Sequence, residues 1–283
     1  MTATYDYTGR QVLITGGTKG IGAGIAHAFA AAGATVTVCA RTPPPGSPPG
    51  PPSGSSPGSP PGSASGSPPG SSSGQPPGSS SESSGGPVRF VPADVRDPED
   101  VERLLGGLSR LDVLVNNAGG SPHAPLAGSS PRLHARVIEL NLVAPLLMSQ
   151  RAHPLLKDTG GSVIMIGSSS GVRPSPGTSA YGAAKAGLHH LAACLAAEWA
   201  PEVRVNTVVV GLAATENAAG HYGGAFEQVG ATIPAGRMAR PEDVAAACLW
   251  LAAPGYVTGA QIQVHGGGET PAWSWLTSAE IAR

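Results

Sequence analysis

Cysteine is scarce: the 283 residues hold three, Cys39, Cys194 and Cys248, scattered along the chain. They form neither a disulfide framework nor a metal-ligand spacing, so the expectation is a reducing, cytoplasmic setting and no metal site. Charge is scarce too. Charged residues make up 12% of the chain and the formal net charge is −1, which argues against nucleic acid or an acidic membrane as a partner. No apolar run is long enough to span a bilayer, and the polar start Met1-Thr-Ala-Thr-Tyr-Asp-Tyr7 does not read as a secretory leader.

Glycine and proline, by contrast, are abundant and concentrated. From Pro43 to Pro87 every residue is Pro, Gly or Ser except Ala64, Gln75 and Glu82. The tract contains an octapeptide repeat, Pro60-Pro-Gly-Ser-Ala-Ser-Gly-Ser67 followed by Pro68-Pro-Gly-Ser-Ser-Ser-Gly-Gln75 and Pro76-Pro-Gly-Ser-Ser-Ser-Glu-Ser83. With almost no apolar side chains to bury, it cannot offset its ordering entropy, and the period of eight is not the period of three that collagen requires. Residues 43–87 are therefore expected to be a disordered low-complexity insertion within a single domain spanning 1–283. A partner-binding role through extended Pro-rich segments is the alternative.

Outside the tract, strand and helix signals alternate. Gln11–Thr15 reads as a buried strand, 21–33 as an alanine-rich helix, and 34–39 as the next strand. This βαβ pattern implies a parallel sheet with right-handed crossovers. Strands are expected at 88–91, 111–115, 162–166, 203–210 and 260–265. Helices are expected from Pro98, near 131–154, over 179–200 and from Pro241 to Ala252. The sum is an α/β fold, a doubly wound parallel sheet of about seven strands.

The chemistry-bearing residues fall at the junctions of these elements. Thr15-Gly-Gly-Thr-Lys-Gly-Ile-Gly22 joins the first strand to the first helix. Gly16 permits a tight turn, and Gly20 and Gly22 let backbone and helix approach a pyrophosphate, which gains from the free N–H groups at a helix N-terminus. The second strand ends at Ala40-Arg41. An acid there would take the ribose 2′-hydroxyl of NAD, whereas Arg41, joined by Lys19, suits the 2′-phosphate of NADP. Both could equally be solvated surface cations. Asp94-Val95 follows the third strand, where a side chain could meet the adenine. Asn116-Asn117-Ala118-Gly119 follows the fourth, at the carboxyl edge where such sheets bind ligands.

Tyr181 and Lys185 lie one helical turn apart on one face. A free phenol is a poor base at neutral pH, and a nearby ammonium favours its ionised form. Ser168, at the end of the fifth strand, could hydrogen-bond the same substrate oxygen. Asn141 lies inside an expected helix, where its amide competes with the backbone. A serine-hydrolase reading is also open, since Gly167-Ser-Ser-Ser-Gly171 matches a nucleophile elbow and His265-Gly-Gly-Gly268 resembles an oxyanion segment. Their order in the chain and the prolines at 174 and 176 argue against it. His123, His189, His190 and His221 form no metal pattern and read as surface or core histidines.

Taken together, the glycine turn, Asp94, Asn116-Asn117-Ala118-Gly119, Asn141, Ser168, Tyr181 and Lys185 resemble the short-chain dehydrogenase/reductase family, over about 10–42 and 88–268. The resemblance implies a single-domain Rossmann fold and hydride transfer between NADP, or NAD, and a small carbonyl or alcohol. It implies that Tyr181 exchanges the proton, Ser168 orients the carbonyl, Lys185 binds the nicotinamide ribose and tunes Tyr181, and Asn141 holds a water in the relay. The implied cofactor contacts are Gly16, Thr18, Lys19, Gly20, Ile21, Gly22, Arg41, Asp94, Val95, Asn117, Ala118, Gly119, Tyr181, Lys185, Gly211 and Thr215. A homotetramer or homodimer is implied as well. The helix over 179–200 is expected to offer apolar surface beyond what one sheet face covers, with Trp273 and Trp275 of the 269–283 tail as a further anchor.

The chain departs from the family in three places. The usual Pro-Gly after the sixth strand reads Val210-Gly211, the tract replaces a helix, and the tail runs long. The stretch from Leu212 to Arg237, with His221, Tyr222 and Phe226, is expected to be a substrate lid. A non-catalytic dinucleotide sensor on the same fold is the remaining alternative.

Overall fold

The computed structural model describes residues 4–44, 86–216, 218 and 225–269. Seven strands form one sheet in the order β3-β2-β1-β4-β5-β6-β7, all pairs parallel. They are β1 (Gln11–Thr15), β2 (Thr35–Ala40), β3 (Val88–Pro92), β4 (Val113–Asn116), β5 (Ser162–Ser168), β6 (Arg204–Val210) and β7 (Gln261–Val264). The helices are α1 (Gly20–Ala31), α2 (Pro98–Gly106), α3 (Pro131–Ile138), α4 (Ala144–Thr159), α5 (Ser179–Trp199), α6 (Phe226–Ala231) and α7 (Pro241–Ala252).

Strand periodicity builds two cores. Val12, Ile14, Val113, Val115, Ile164 and Ile166 face one side, where they meet Ile25 and Phe29 of α1 and Val244, Cys248 and Leu251 of α7. Leu13, Leu114, Val163 and Met165 face the other, where they meet Leu104 of α2, Met148 and Leu156 of α4, and Leu188 and Ala192 of α5. Covered on both faces, the central strands need continuous rather than alternating apolar sequence, and they have it.

Two details differ from the expected elements. The helical stretch at 131–154 runs on to Thr159, and a π-helical turn over Glu139–Val143 separates α3 from α4. The cause is Asn141, whose Nδ2 donates to Val137 O four residues back at 2.8 Å and also to Gly120 O at 2.9 Å. The side chain thus takes a carbonyl from the helix ladder, and the helix widens to accommodate it. In α5, Ala184, Leu188 and Ala192 are buried within the subunit, so part of the surface expected to pair helices between subunits is used internally.

Chain re-entry into β3 is fixed by two bonds, Gly86 N–H to Ala30 O at 2.7 Å and Val36 N–H to Pro87 O at 2.9 Å. Residues 45–85 of the expected insertion, His221 and Tyr222 of the expected lid, and Trp273 and Trp275 of the tail lie outside the described residues. Among the described residues no helix is long and apolar enough to cross a membrane, and no cluster of potential metal ligands occurs.

Candidate active site

At the carboxyl edge of the sheet a cleft of about 650 Å³ is lined by Gly16, Thr18, Lys19, Gly20, Ile21, Gly22, Arg41, Asp94, Val95, Asn117, Ala118, Gly119, Ser168, Tyr181, Lys185, Gly211 and Thr215. Every expected site residue except Asn141 is on that wall, and Asn141 stands directly behind it. Its Oδ1 accepts the Gly120 N–H at 3.0 Å.

The glycine turn is clamped to the end of β4. Thr15 Oγ1 accepts the N–H of Asn117 at 3.0 Å and of Ala118 at 2.9 Å, and Asn117 Nδ2 donates to Thr15 O and Gly16 O. Gly16 has φ 66°, as the tight turn requires. A Cβ on Gly22 would lie 2.3 Å from Gly16 O and 2.4 Å from Asn117 Nδ2. Glycine there lets α1 start hard against the turn, with its first N–H groups facing the cleft.

These residues fit a dinucleotide, because the seat already attracts an anion. The carboxylate of Glu216, from the segment after β6, accepts the Gly20 N–H at 3.0 and 3.4 Å. Glu216 stands in for a phosphate at a helix N-terminus that carries no acid of its own in its first turn. Sequence reasoning did not single out Glu216; its place directly after Thr215 was the available signal.

At the far end of the cleft, Arg41 and Lys19 are exposed. The nearby acid, Asp94, is held by Arg96, with Nε 2.9 Å from Oδ1. That hydrogen bond keeps the carboxyl below its ordinary range, with Arg41 adding to the effect. Around Arg41 the charges are mixed, since Arg41, Arg96 and Arg136 line the same hollow as Asp94, Asp97 and Glu139.

At the opposite end stand Ser168, Tyr181 and Lys185. Ser168 is the last residue of β5, and its Oγ accepts the Ser170 N–H at 3.2 Å, which leaves the hydroxyl proton free to donate. Lys185 is 3% exposed. Its Nζ donates to Ile166 O at 2.7 Å and lies 5.7 Å from the centre of the Tyr181 ring. Burial pulls its pKa down to about 8. The phenol differs from the sequence expectation. Burial pushes Tyr181 upward, the Ser168 hydroxyl only partly offsets this, and the ammonium, turned toward Ile166 O, does not reverse it. A Cβ on Gly119 would lie 2.7 Å from Asn141 Oδ1 and 3.4 Å from Lys185 Nζ, so glycine keeps that approach open.

Val210-Gly211, standing where the family has Pro-Gly, runs beside β7, with Val210 opposite Val264 and the Gly211 N–H donating to Val264 O at 3.0 Å. A Cβ on Gly211 would meet His265 Cβ at 2.6 Å. The hydrolase arrangement is not formed. His265 contacts Gln263 through Nε2 and accepts the Gly267 N–H through Nδ1, with no bond to Ser169 among the described residues.

A doubly wound sheet with a glycine-turn anion seat and a Ser–Tyr–Lys wall defines a dinucleotide-dependent oxidoreductase. Comparison with known proteins agrees. A family model described as short chain dehydrogenase matches residues 10–47, and one described as enoyl-(acyl carrier protein) reductase matches 79–269. The rhamnolipid-biosynthesis 3-oxoacyl-[acyl-carrier-protein] reductase of Pseudomonas aeruginosa is 33% identical, over 93% of this chain and 97% of that protein. A tropinone reductase homolog of Arabidopsis thaliana is 34% identical, over 91% and 90%. The solved RhlG/NADP active-site complex of Pseudomonas aeruginosa superposes with a TM-score of 0.74 at 29% identity, covering 94% of this chain and 99% of that one. The chain belongs to the short-chain dehydrogenase/reductase family and is an NAD(P)-dependent oxidoreductase.

Proposed function

We propose that the protein transfers hydride between NADP(H) and a ketone or secondary alcohol, with Tyr181 as general acid and base. The observation that carries this reading is the convergence of Ser168, Tyr181 and Lys185 at one end of a cleft whose other end is the glycine turn with Lys19 and Arg41. When bound, the nicotinamide supplies or accepts the hydride. Tyr181 gives its proton to the carbonyl oxygen in reduction and takes it back in oxidation. Burial keeps the phenol protonated in the free cleft, the state a proton donor needs. The Ser168 hydroxyl donates to the same oxygen. Lys185, anchored on Ile166 O, has two further N–H donors for the nicotinamide ribose, and its charge favours the phenolate as the proton leaves. Asn141 fixes the Gly119–Gly120 backbone and offers a site for the relay water.

NADP is favoured by Arg41 and Lys19, by the absence of an acid at Ala40, and by the pairing of Asp94 with Arg96. The names of the relatives, a 3-oxoacyl reductase and a tropinone reductase homolog, support a ketone as the reacting group. Exposed Ile138, Val143 and Leu146 on the α3–α4 run, together with Trp250 on α7, support a homotetramer or homodimer. Light scattering tests this, and a monomeric full-length protein ends it. The scattered free cysteines support a reducing, cytoplasmic location.

Steady-state turnover of a ketone panel with NADPH tests the chemistry. Tyr181→Phe should lose about 10²–10⁴-fold in kcat while still binding NADPH, as read by the change in cofactor fluorescence on titration. Full activity in that variant would remove Tyr181 from the mechanism.

A further inference from the structure

The face of α5 that carries Tyr181 and Lys185 continues one turn further, to His189, which is 3% exposed. We infer that His189 is a positioning residue for the reaction: its Nε2 accepts the backbone N–H of Ser168 at 3.3 Å and fixes the peptide from which the Ser168 hydroxyl enters the cleft. This rests on the reading of Ser168 as the group that orients the substrate oxygen.

The ring sits in a notch cut by two glycines. A Cβ on Gly167 would lie 2.3 Å from His189 Nε2 and 2.8 Å from Cδ2, and a Cβ on Gly171 would lie 2.8 Å from Cε1. Gly167 and Gly171 bracket the Ser168–Ser170 turn, so their missing side chains admit the imidazole directly behind the serine. The turn is thereby held on both sides. His189 takes the Ser168 N–H, and Ser168 Oγ takes the Ser170 N–H. A leucine would fill the notch but could accept nothing.

The protonation state suits an acceptor. Burial, and then the neighbouring Lys185 charge, push the His189 pKa down to about 4. The ring is neutral at physiological pH, with Nδ1 carrying the proton when Nε2 accepts. Lys185 thus serves two partners at once. It stands beside the phenol, and its charge adds to the burial that keeps the imidazole holding the serine neutral.

The test compares His189→Leu, His189→Gln and His189→Asn, with kcat and KM for a ketone, the Kd of NADPH, and hydrogen exchange at the Ser168 amide. Gln carries its Oε1 about as far from the backbone as Nε2, whereas the shorter Asn does not reach. His189→Leu is expected to lower kcat about tenfold, the scale of one oriented hydrogen bond, with NADPH binding unchanged. His189→Gln should recover most of that loss and His189→Asn little. Ser168 amide exchange should accelerate in the Leu and Asn variants and stay slow in Gln. Wild-type kcat and unchanged Ser168 exchange in His189→Leu overturn the inference, as do equal values for Gln and Asn; that pair decides alone if the Leu variant does not fold. Should the wild type turn over no carbonyl, the functional reading fails, and the exchange pattern still decides whether His189 holds Ser168.

Discussion

The two edges of the sheet each bury a charge, and they treat it in opposite ways. At the amino edge, between β1 and β4, Asp112 is 4% exposed and has a partner for each lone pair it offers. It accepts from Gln11 N–H at 2.9 Å, Arg10 at 2.8 Å, and Arg110 at 2.6 and 2.7 Å. Burial pushes its pKa up, and Arg110, Gln11 and Arg10 outweigh that and hold it below its ordinary value. At the carboxyl edge Lys185 has one carbonyl and, among the described residues, no counter-ion, and its pKa falls to about 8. A saturated buried charge ties strands together. An under-partnered one destabilises the fold and keeps donors in reserve, which is the pattern of a functional site.

Lys185→Met breaks the contrast most sharply. Turnover should fall at least 10²-fold, while stability at pH 7 rises by ~1 kcal/mol, the relieved burial of the ammonium less its bond to Ile166 O. The sign can be followed with pH. The folded-state value of about 8 lies below the unfolded one, so the penalty is complete below pH 8. It fades as the pH rises toward the unfolded value near 10.4, and the gain from Lys185→Met should fade with it. Urea titrations at pH 7 and pH 10 check this.

Asp112→Asn should do the reverse, lowering stability by about 2–3 kcal/mol with kcat of the folded enzyme unchanged. Because the folded-state pKa is depressed, that loss is present at neutral pH and disappears as acid titrates the wild-type carboxylate. A kcat change as large as that of Lys185→Met would show that the two edges are coupled.

Smaller effects sharpen the picture within the cleft. Arg41→Ala should cut kcat/KM with NADPH about tenfold and leave NADH nearly untouched, since one charge-assisted contact to a phosphate is lost. A wild-type preference for NADH would overturn the assignment of Arg41. Glu216→Gln should tighten NADPH binding about threefold, because a neutral amide competes less well for the Gly20 N–H. Weaker binding would mean that Glu216 helps to hold the dinucleotide rather than competing with it.

Much of this was legible in the residues. The apolar runs of β1, β2 and β6 and the glycine turn specify a doubly wound sheet because central parallel strands must be apolar on both faces, and the spacing of Tyr181 and Lys185 fixes their common helix face. What the sequence could not supply depended on long-range partners. The Asn141 side chain at the π turn is tied to Gly120 on a distant loop, the direction of the Tyr181 shift is set by the depth of the cleft and by where Lys185 Nζ points, and the role of His189 by Gly167 and Gly171 far along the chain. His189 was visible as the third residue in an i, i+4, i+8 series with Tyr181 and Lys185, yet only the fold brings Ser168 to it.

The pegging of Gly86 and Pro87 to Ala30 and Val36 has a mechanical consequence. β2 leaves the sheet at the cleft edge, and β3 enters from a fixed point at the opposite edge. Because the two strands are parallel, a connector between them must cross back over the face of the sheet, which takes about a dozen residues or more. Beyond that minimum, each doubling of length adds only ~0.6 kcal/mol of closure entropy. The register of β2 and β3, from Val36 opposite Val88 to Ala40 opposite Pro92, is thus pinned by bonds among the strand residues themselves and by the last two residues of the tract, Gly86 and Pro87.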